Sequence, residues 1–165
     1  MTRPPRHSAF TLLELVLVLV VLSVALAMAA PAMQGWSRGS KHRDAADQLL
    51  AVMRGARGLA VSDAAVHRLN VDASAGKYWV TVQDGDQFVP LGSSFGQVYE
   101  LPEGNRVELT DLAGQPINSI DFFPTGRSAV ARARVICTAD QRVIVLECPS
   151  PSESFRIVTN PEQSR

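Results

Sequence analysis

The chain lacks a net charge, because its 16 lysines and arginines are matched by 16 aspartates and glutamates. Domains that bind nucleic acid usually carry an excess of basic residues, clustered on one face or along one helix. Several arginines do recur in the second half of the chain: Arg127, Arg132, Arg134, Arg142 and Arg156. Arginines scattered in this way usually form a solvated face, so we do not expect nucleic acid as a partner.

Catalytic motifs are also missing. The three histidines stand far apart, at His7, His42 and His67, and none belongs to a zinc-binding His-Glu-x-x-His pattern. The pattern Gly-x-Ser-x-Gly of serine hydrolases occurs at residues 35–39 and 92–96, but neither copy lies between a predicted strand and a predicted helix, as the nucleophile turn requires. The glycine-rich phosphate loop is absent. Ser62 and Asp63 precede His67 so closely that they indicate only a turn. We therefore expect a protein that is not an enzyme and that binds no metal and no cofactor.

Cysteine is scarce, with only Cys137 and Cys148 in the chain. They lie in two apolar segments that predict a hairpin with residues 138–141 as its turn, so that Cys137 faces Arg142 and Cys148 faces Ala131. Six strand positions at about 3.3 Å place the two thiols roughly 20 Å apart, whereas a disulfide needs Cα atoms about 4.4–6.8 Å apart. Although an oxidising compartment would permit a disulfide, this register predicts two buried free thiols.

The sequence does contain a long apolar run near its start. Arg3 and Arg6 precede a stretch that reaches Ala30 and carries no charge except that of Glu14. As a helix, residues 10–30 would span about 30 Å, which matches the hydrocarbon core of a bilayer. A carboxylate in such a segment costs several kcal/mol and normally has a partner or a function. We expect a transmembrane helix here, with its N-terminus held in the cytoplasm by the two arginines.

The same residues allow a second interpretation, as an ordinary secretory signal peptide. Small residues suited to a cleavage site lie towards the end of the apolar run: Ala25, Ala27, Ala29 and Ala30. However, Glu14 would then lie inside the apolar region, and the run is longer than the roughly 7–15 residues usual there. We therefore favour the membrane helix, and the alternative is a soluble exported domain.

A short basic leader is followed by the sequence Ala-Phe-Thr-Leu-Leu-Glu-Leu over residues 9–15. This sequence resembles the class III signal of type IV pilins and type II secretion pseudopilins. The resemblance implies that residues 1–9 are a leader peptide, that prepilin peptidase cuts between Ala9 and Phe10, and that the new N-terminus of Phe10 is methylated. It also implies a role for Glu14 in assembly. The family usually has glycine at the position of Ala9.

A filament of packed apolar helices gives Glu14 a physical role. The free amine of Phe10 in one subunit would pair there with the Glu14 carboxylate of its neighbour, so that each charge finds a partner in a low dielectric. A subunit outside the filament lacks this pair. We therefore expect Glu14 to be needed for assembly and not for membrane insertion.

A second helical pattern follows over residues 31–61. Apolar residues recur there at helical spacing: Ala45, Leu49, Val52, Met53, Ala56 and Leu59. Charged residues, including Arg54 and Arg57, fall largely off this stripe, as expected for a helix that packs on a domain on one side and faces water or neighbours on the other. Pro31, followed by two glycines, predicts a kink between the two halves of the helix.

From residue 62 onward, short apolar segments alternate with turn residues. The predicted strands are residues 66–71, 77–83, 97–101, 106–110, 119–123, 130–137, 142–148 and 155–158. The sequence therefore predicts an α+β fold, in which a long N-terminal helix, transmembrane in its first half and amphipathic in its second, packs on a C-terminal antiparallel β domain of residues 62–165.

Trp79 in an early strand and the sequence Phe-Phe-Pro-Thr-Gly-Arg over residues 122–127 resemble the H-type minor pseudopilin domain of type II secretion, which some type IV pili share. The resemblance implies a minor pseudopilin that joins other pseudopilins through N-terminal helices, on an inner-membrane assembly platform. The resulting periplasmic pseudopilus would drive protein export. The chain would cross the inner membrane once, with its C-terminal domain in the periplasm.

Two alternatives stay open at this point. A type IV pilus minor pilin, acting in assembly or DNA uptake, carries the same signal and the same helix. Related minor pilins of DNA uptake have a C-terminal Gly-Arg-x-Arg-like motif, which residues 154–160 lack. The secretory-signal interpretation leaves a soluble exported binding domain instead.

Overall fold

The computed structural model describes the backbone of residues 12–158 and the side chains of residues 12–26 and 40–158. The chain divides into two compact units, Met1–Gly39 and Ser40–Arg165. One helix of 51 residues, α1 (Leu12–Ser62), runs through both, and the rest of the described chain consists of strands, turns and one short 3-10 helix, Ser94–Gly96. The predicted α+β class, with a long helix followed by an antiparallel β domain, is confirmed.

The second unit buries one face of residues 40–62 of α1. The buried side chains of this face are Ala45, Ala46, Leu49, Leu50, Val52, Met53, Ala56 and Ala60. All of the predicted stripe except Leu59 is therefore confirmed. Leu59 is only half-buried, because the helical spacing that includes Met53 and Ala56 continues to Ala60.

The end of α1 is closed by its own last turn. The backbone N–H of Asp63 and the hydroxyl of Ser62 both donate to the carbonyl of Leu59, at 2.9 and 3.1 Å. Ala64 then has a φ of 51°, in the left-handed region that commonly ends helices. The chain leaves the helix there and enters the β domain.

Ten strands follow in the described chain, and all of their pairings are antiparallel. They are β1 His67–Asp72, β2 Lys77–Asp84, β3 Gln87–Pro90, β4 Tyr99–Glu100, β5 Asn105–Thr110, β6 Pro116–Ile117, β7 Ser119–Phe122, β8 Ala131–Cys137, β9 Val143–Cys148 and β10 Arg156–Val158. All of the strands predicted from the sequence are confirmed to within two residues at each end.

β3 and β6 were not predicted from the sequence. β3 pairs with β2 across the two-residue turn Gly85-Asp86, in which Gly85 has a φ of 59°, and a Gly-Asp pair is itself a hairpin signal. β6 has only two residues and begins with Pro116, so it shows no alternation of apolar and polar residues. The first omission was avoidable, and the second followed from the shortness of the strand.

The strands form two sheets that share one core with α1. Sheet 1 has the order β3-β2-β1-β7, with β4 also paired to β2, and sheet 2 has the order β10-β9-β8-β5-β6. Alternate residues of both sheets join the buried face of α1 in a single apolar cluster, among them Leu69, Val80, Val107 and Leu146. Burial of this helix face therefore holds the second unit together.

The hairpin of β8 and β9 has the register predicted from the sequence. Ala131 pairs with Cys148, and the backbone N–H of Cys137 donates to the carbonyl of Arg142 at 2.9 Å. Both cysteines are free and buried. The prediction of two separate thiols is confirmed, because they lie at opposite ends of this ladder.

Candidate functional site

The first part of α1 exposes apolar side chains all around its circumference. Every described side chain of residues 12–26 is exposed, and Leu12 is exposed to 83%. Glu14 and Ser23 are the polar residues of this stretch, and the Ser23 hydroxyl donates to the backbone of its own helix at 2.7 Å. A helix that is apolar on all sides needs lipid or other helices around it. We call residues 12–26 the apolar helix surface.

Glu14 lies on this surface, in the first turn of α1, and its side chain is exposed. Ala9 and Phe10, between which we expect cleavage, lie outside the described residues, so cleavage and methylation there stay predictions. The expected partner of Glu14 belongs to a second subunit. Its pairing with the amine of Phe10 therefore also stays a prediction.

The middle of α1 contains Pro31. The helix is continuous in secondary structure from Leu12 to Ser62, and Pro31 therefore lies inside it. The side chain of Pro31 is outside those described, and the kink expected there stays a prediction. Within the described residues, no helix is both long enough and apolar enough to cross a membrane.

In the second unit, Arg57 of α1 connects two loops of the β domain. Its Nε donates to the carbonyl of Gly126 at 2.6 Å, and its terminal nitrogens donate to the carbonyl of Ser152 at 3.0 Å and to the hydroxyl of Ser154. Arg54, one turn earlier, donates to the carbonyl of Phe155 at 3.5 Å. These contacts hold residues 123–128 and 149–155, which we call the two Arg57 loops, against α1.

Two buried residues, Ser128 and Cys148, connect the same two loops beneath the surface of the β domain. The backbone N–H of Ser128 donates to the carbonyl of Pro151 at 2.9 Å, and its hydroxyl lies 3.2 Å from Cys148 Sγ. The thiol of Cys148 lies 3.1 Å from the carbonyl of Ser150. Ser128 and Cys148 are both buried. The free cysteine therefore has a structural role in the loop contact.

Most of the arginines considered for nucleic-acid binding form ion pairs. Three of them pair with carboxylates at 3.3, 3.3 and 3.7 Å: Arg132 with Glu147, Arg134 with Glu108, and Arg156 with Glu153. Arg142 pairs with Asp140 at 2.7 Å in the turn between β8 and β9. This neutralisation argues against a surface for nucleic acid, which requires uncompensated positive charge.

The described histidines are buried and form no nucleophile–base pair. His42 Nδ1 lies 2.8 Å from Asn105 Oδ1, and His67 Nε2 lies 3.3 Å from Asp63 Oδ2. The Ser62 hydroxyl lies 2.9 Å from Asp63 Oδ1 and 3.1 Å from the Leu59 carbonyl, and no hydrogen bond joins it to a described imidazole, so these residues lack the order of a catalytic triad. Among the described residues, no cluster of three metal-binding side chains occurs.

Comparison with known families decides what kind of protein has this apolar helix and this β domain. Residues 4–30 match the prokaryotic N-terminal methylation motif. Residues 45–161, well over half of the chain, match the type II transport protein GspH. The chain belongs to the GspH family. It is a minor pseudopilin of type II secretion, which confirms the family and the function predicted from the sequence.

Solved structures show the same fold. Two structures of the minor pseudopilin EpsH of the Vibrio cholerae type 2 secretion system superpose with a TM-score of 0.62 at 8% and 9% identity, covering 75% and 76% of this chain and 99% and 98% of EpsH. The type IV minor pilin FimU of Pseudomonas aeruginosa superposes with a TM-score of 0.56 at 12% identity, covering 78% of this chain and 95% of FimU. No curated protein sequence matches the chain.

Membership in the GspH family has three consequences. The chain is a structural subunit, it belongs to a class that assembles with other pseudopilins, and its N-terminal motif is one that anchors such subunits in the inner membrane. The apolar helix surface is the part of the described chain that matches this role. The absence of enzymatic activity stays a prediction.

Proposed function

We propose that the chain is made as a precursor and matures at its N-terminus. Prepilin peptidase removes residues 1–9 by cutting between Ala9 and Phe10, and Phe10 is then methylated. The match of residues 4–30 to the N-terminal methylation motif supports this step. Ala9 stands where glycine is usual in the family, and alanine has the next smallest side chain.

The mature chain is anchored in the inner membrane by residues 10–30. Before cleavage, Arg3 and Arg6 of the precursor set the orientation by keeping the N-terminus in the cytoplasm, so that the β domain lies in the periplasm. Support comes from the apolar helix surface, whose exposed leucines and valines are unfavourable in water at roughly 25 cal/mol per Å² of apolar area. The lipid bilayer covers this surface before assembly.

Assembly transfers the apolar helix surface from lipid to the helices of neighbouring pseudopilins. In the bilayer, the apolar side chains already avoid water, so the transfer gains little hydrophobic free energy and needs a specific contact. The carboxylate of Glu14 supplies it by pairing with the methylated amine of Phe10 on the neighbouring subunit. The observation that carries the proposal is this one carboxylate among the exposed, almost entirely apolar side chains of residues 12–26. The inner-membrane assembly platform would extract the subunit, and the periplasmic pseudopilus would drive protein export.

The mass of the mature N-terminus tests the first step. The protein is purified from membranes of its native host, and its N-terminal peptide is analysed by mass spectrometry. We expect a peptide that begins with N-methylated Phe10. A peptide that begins near Pro31 would mean that an ordinary signal peptide had been removed, and it would contradict both the anchor and the assembly mechanism.

The substitution Glu14→Ala tests the assembly step. Because the carboxylate is not needed for insertion, the variant should remain in the membrane fraction while co-purification of neighbouring pseudopilins falls about tenfold, as expected for loss of a buried charge pair. Ser23→Ala, on the same surface, is the matched control and should leave co-purification unchanged. Undiminished co-purification of the Glu14→Ala variant would refute the pairing. Mass spectrometry of the captured subunits also separates a secretion pseudopilus from a type IV pilus, the weaker alternative suggested by the similarity to FimU.

A further inference from the structure

The described arginines of the second unit divide into two groups. Seven of them form ion pairs with carboxylates: Arg43, Arg68, Arg106, Arg132, Arg134, Arg142 and Arg156. The other three, Arg54, Arg57 and Arg127, form no ion pair with any described residue. Most of the described arginines therefore have a carboxylate partner, and these three do not.

The three arginines without ion pairs lie at the same place in the fold. Arg54 and Arg57 bind backbone carbonyls of the two Arg57 loops, and Arg127 is part of the first of these loops. Glu153 belongs to the second loop, but its carboxylate lies 3.7 Å from Arg156. The two loops, together with Arg54 and Arg57 of α1, therefore carry arginine charges that no described carboxylate pairs with.

A groove of about 590 Å³ opens between these loops. Its walls are mostly apolar and contain no acidic side chain: Phe123, Pro124, Thr125, Arg127, Ser128, Ala129, Val130 and Pro151. Phe123 is exposed to 39%, which is high for a large aromatic side chain. We call this cavity the Arg127 groove. Its volume is in the range of pockets that bind a small ligand or a few side chains of a partner.

The groove is already formed in the single chain. Arg57 binds one loop through Gly126 and the other through Ser152, at 2.6 and 3.0 Å. The bond from Ser128 N–H to the Pro151 carbonyl, at 2.9 Å, joins the two walls directly. The two loops would therefore lose little conformational freedom when a partner binds, which favours affinity.

We propose that the Arg127 groove binds an acidic segment of a neighbouring pseudopilin, one that presents a carboxylate next to an apolar side chain. The carboxylate pairs with Arg127 at the rim, and the apolar side chain packs on Phe123 and Pro124. Charge complementarity selects this occupant, because the groove joins an apolar wall to Arg127, which forms no ion pair with a described residue, and has no acidic lining residue. The inference rests on the proposed function as a pseudopilus subunit, and it names a contact beyond the N-terminal helices.

Photo-cross-linking in the native host tests the proposal with the full chain. A photoreactive amino acid replaces Thr125, which lines the groove, or Asp86, an exposed control residue in the turn between β2 and β3. We expect position 125, and not position 86, to be cross-linked to another pseudopilin, at a peptide that contains Asp or Glu beside an apolar residue. A cross-link from position 125 to an uncharged or basic peptide, or no cross-link above that of position 86, would overturn the proposal.

Substitutions in the groove then test its chemistry. Arg127→Glu and Phe123→Ser should each lower the yield of the cross-link about tenfold, whereas Arg127→Lys, which keeps the charge, should stay within about twofold. The matched controls are Arg142→Glu and Val98→Ser, both at exposed side chains outside the groove, and they should also stay within about twofold. An unchanged yield for Arg127→Glu would contradict the proposed ion pair. All these side chains are exposed, and thermal unfolding checks that each variant is folded.

Co-purification from the same membranes separates the two hypotheses. If neighbouring pseudopilins co-purify with the wild-type chain but position 125 forms no cross-link to them, the groove proposal fails and the proposed function stands. If no pseudopilin co-purifies at all, the proposed function fails, and the groove proposal falls with it.

Discussion

Two parts of the same helix differ in what surrounds their apolar side chains. In residues 12–26, leucines and valines point in every direction and all are exposed. In residues 40–62, the buried apolar side chains lie on one face, and the two sheets cover them. The helix of the second part obtains its packing partner from its own chain, whereas the helix of the first part must obtain it from lipid or from other subunits.

This difference predicts where mutations act. A substitution in the second part changes the free energy of folding, because it alters a core that one chain completes by itself. A substitution in the first part leaves that core intact and changes only contacts with other molecules. Removing a leucine side chain from each part of the helix tests this difference most directly.

The largest effect is expected for Leu49→Ala, since Leu49 is fully buried in the core. The variant should lose about 3 kcal/mol of unfolding free energy, from lost burial and from the cavity left behind. Leu17→Ala, at a side chain exposed to 59%, is the control, and it should change this free energy by less than about 0.5 kcal/mol. Urea unfolding of the full chain in detergent measures both. Equal losses for the two variants would mean that the two parts of the helix do not differ in this way.

Arg57→Ala should have the next largest effect, of about 2 kcal/mol, because it removes hydrogen bonds from one guanidinium to both Arg57 loops. The control is Arg43→Ala, which removes only an exposed ion pair with Asp47 at 3.8 Å and should cost less than about 0.5 kcal/mol. Hydrogen exchange should increase in residues 123–128 and 149–155 of the Arg57→Ala variant alone. Unchanged exchange in both loops would show that Arg57 does not hold them.

The sequence predicts the core of the second unit better than it predicts the contacts of Arg57 and the groove. Periodicity identifies the buried face of α1, and alternation with turn residues identifies most strands, because both depend on neighbours close in the chain. The register of Cys137 and Cys148 follows from the turn at residues 138–141 for the same reason. The contacts of Arg57 are different, because their acceptors lie 69 and 95 positions away and are backbone carbonyls without a residue signature.

The N-terminal site differs again. Glu14 is identified by its contrast with the apolar residues around it, which is a local property of the sequence. The described chain does not place a partner subunit beside it, so its role follows from the family and not from the geometry. The Arg127 groove needed the fold, because its two walls are joined only when β7 and β9 have paired with their neighbours.

Gly55→Ala tests how closely the β domain packs on the second part of α1. A methyl group on Gly55 would overlap the ring of Phe95, which packs on the helix there, so the ring must move. We expect a net loss of about 1 kcal/mol, as overpacking exceeds the gain in helix propensity. Gly58→Ala has no neighbouring atom within 4 Å and should instead stabilise the protein by up to about 1 kcal/mol. The same sign for both variants in thermal unfolding would contradict the packing of Phe95.

The smallest effect at neutral pH is expected for Tyr78→Phe. Among the described residues, the Tyr78 hydroxyl is the one aromatic hydroxyl that is buried without a hydrogen-bond partner. Removing it should be neutral or stabilising by about 0.5 kcal/mol at pH 7. Burial, together with the nearby Tyr99, raises the pKa of Tyr78 to about 12 from 10.0. Between pH 10 and 12, the unfolded chain therefore releases this proton while the folded chain retains it.

Unfolding is thus favoured as the pH rises through that window, and the wild-type protein should lose up to about 2 kcal/mol there. Below pH 10 this hydroxyl should cause no change of stability with pH. Tyr78→Phe should remove the alkaline loss, whereas Tyr99→Phe keeps the buried hydroxyl and should retain it. Denaturant unfolding at pH 9 to 12 measures the difference. An equal alkaline loss in all three proteins would assign it to other groups and show that the core around Tyr78 admits water.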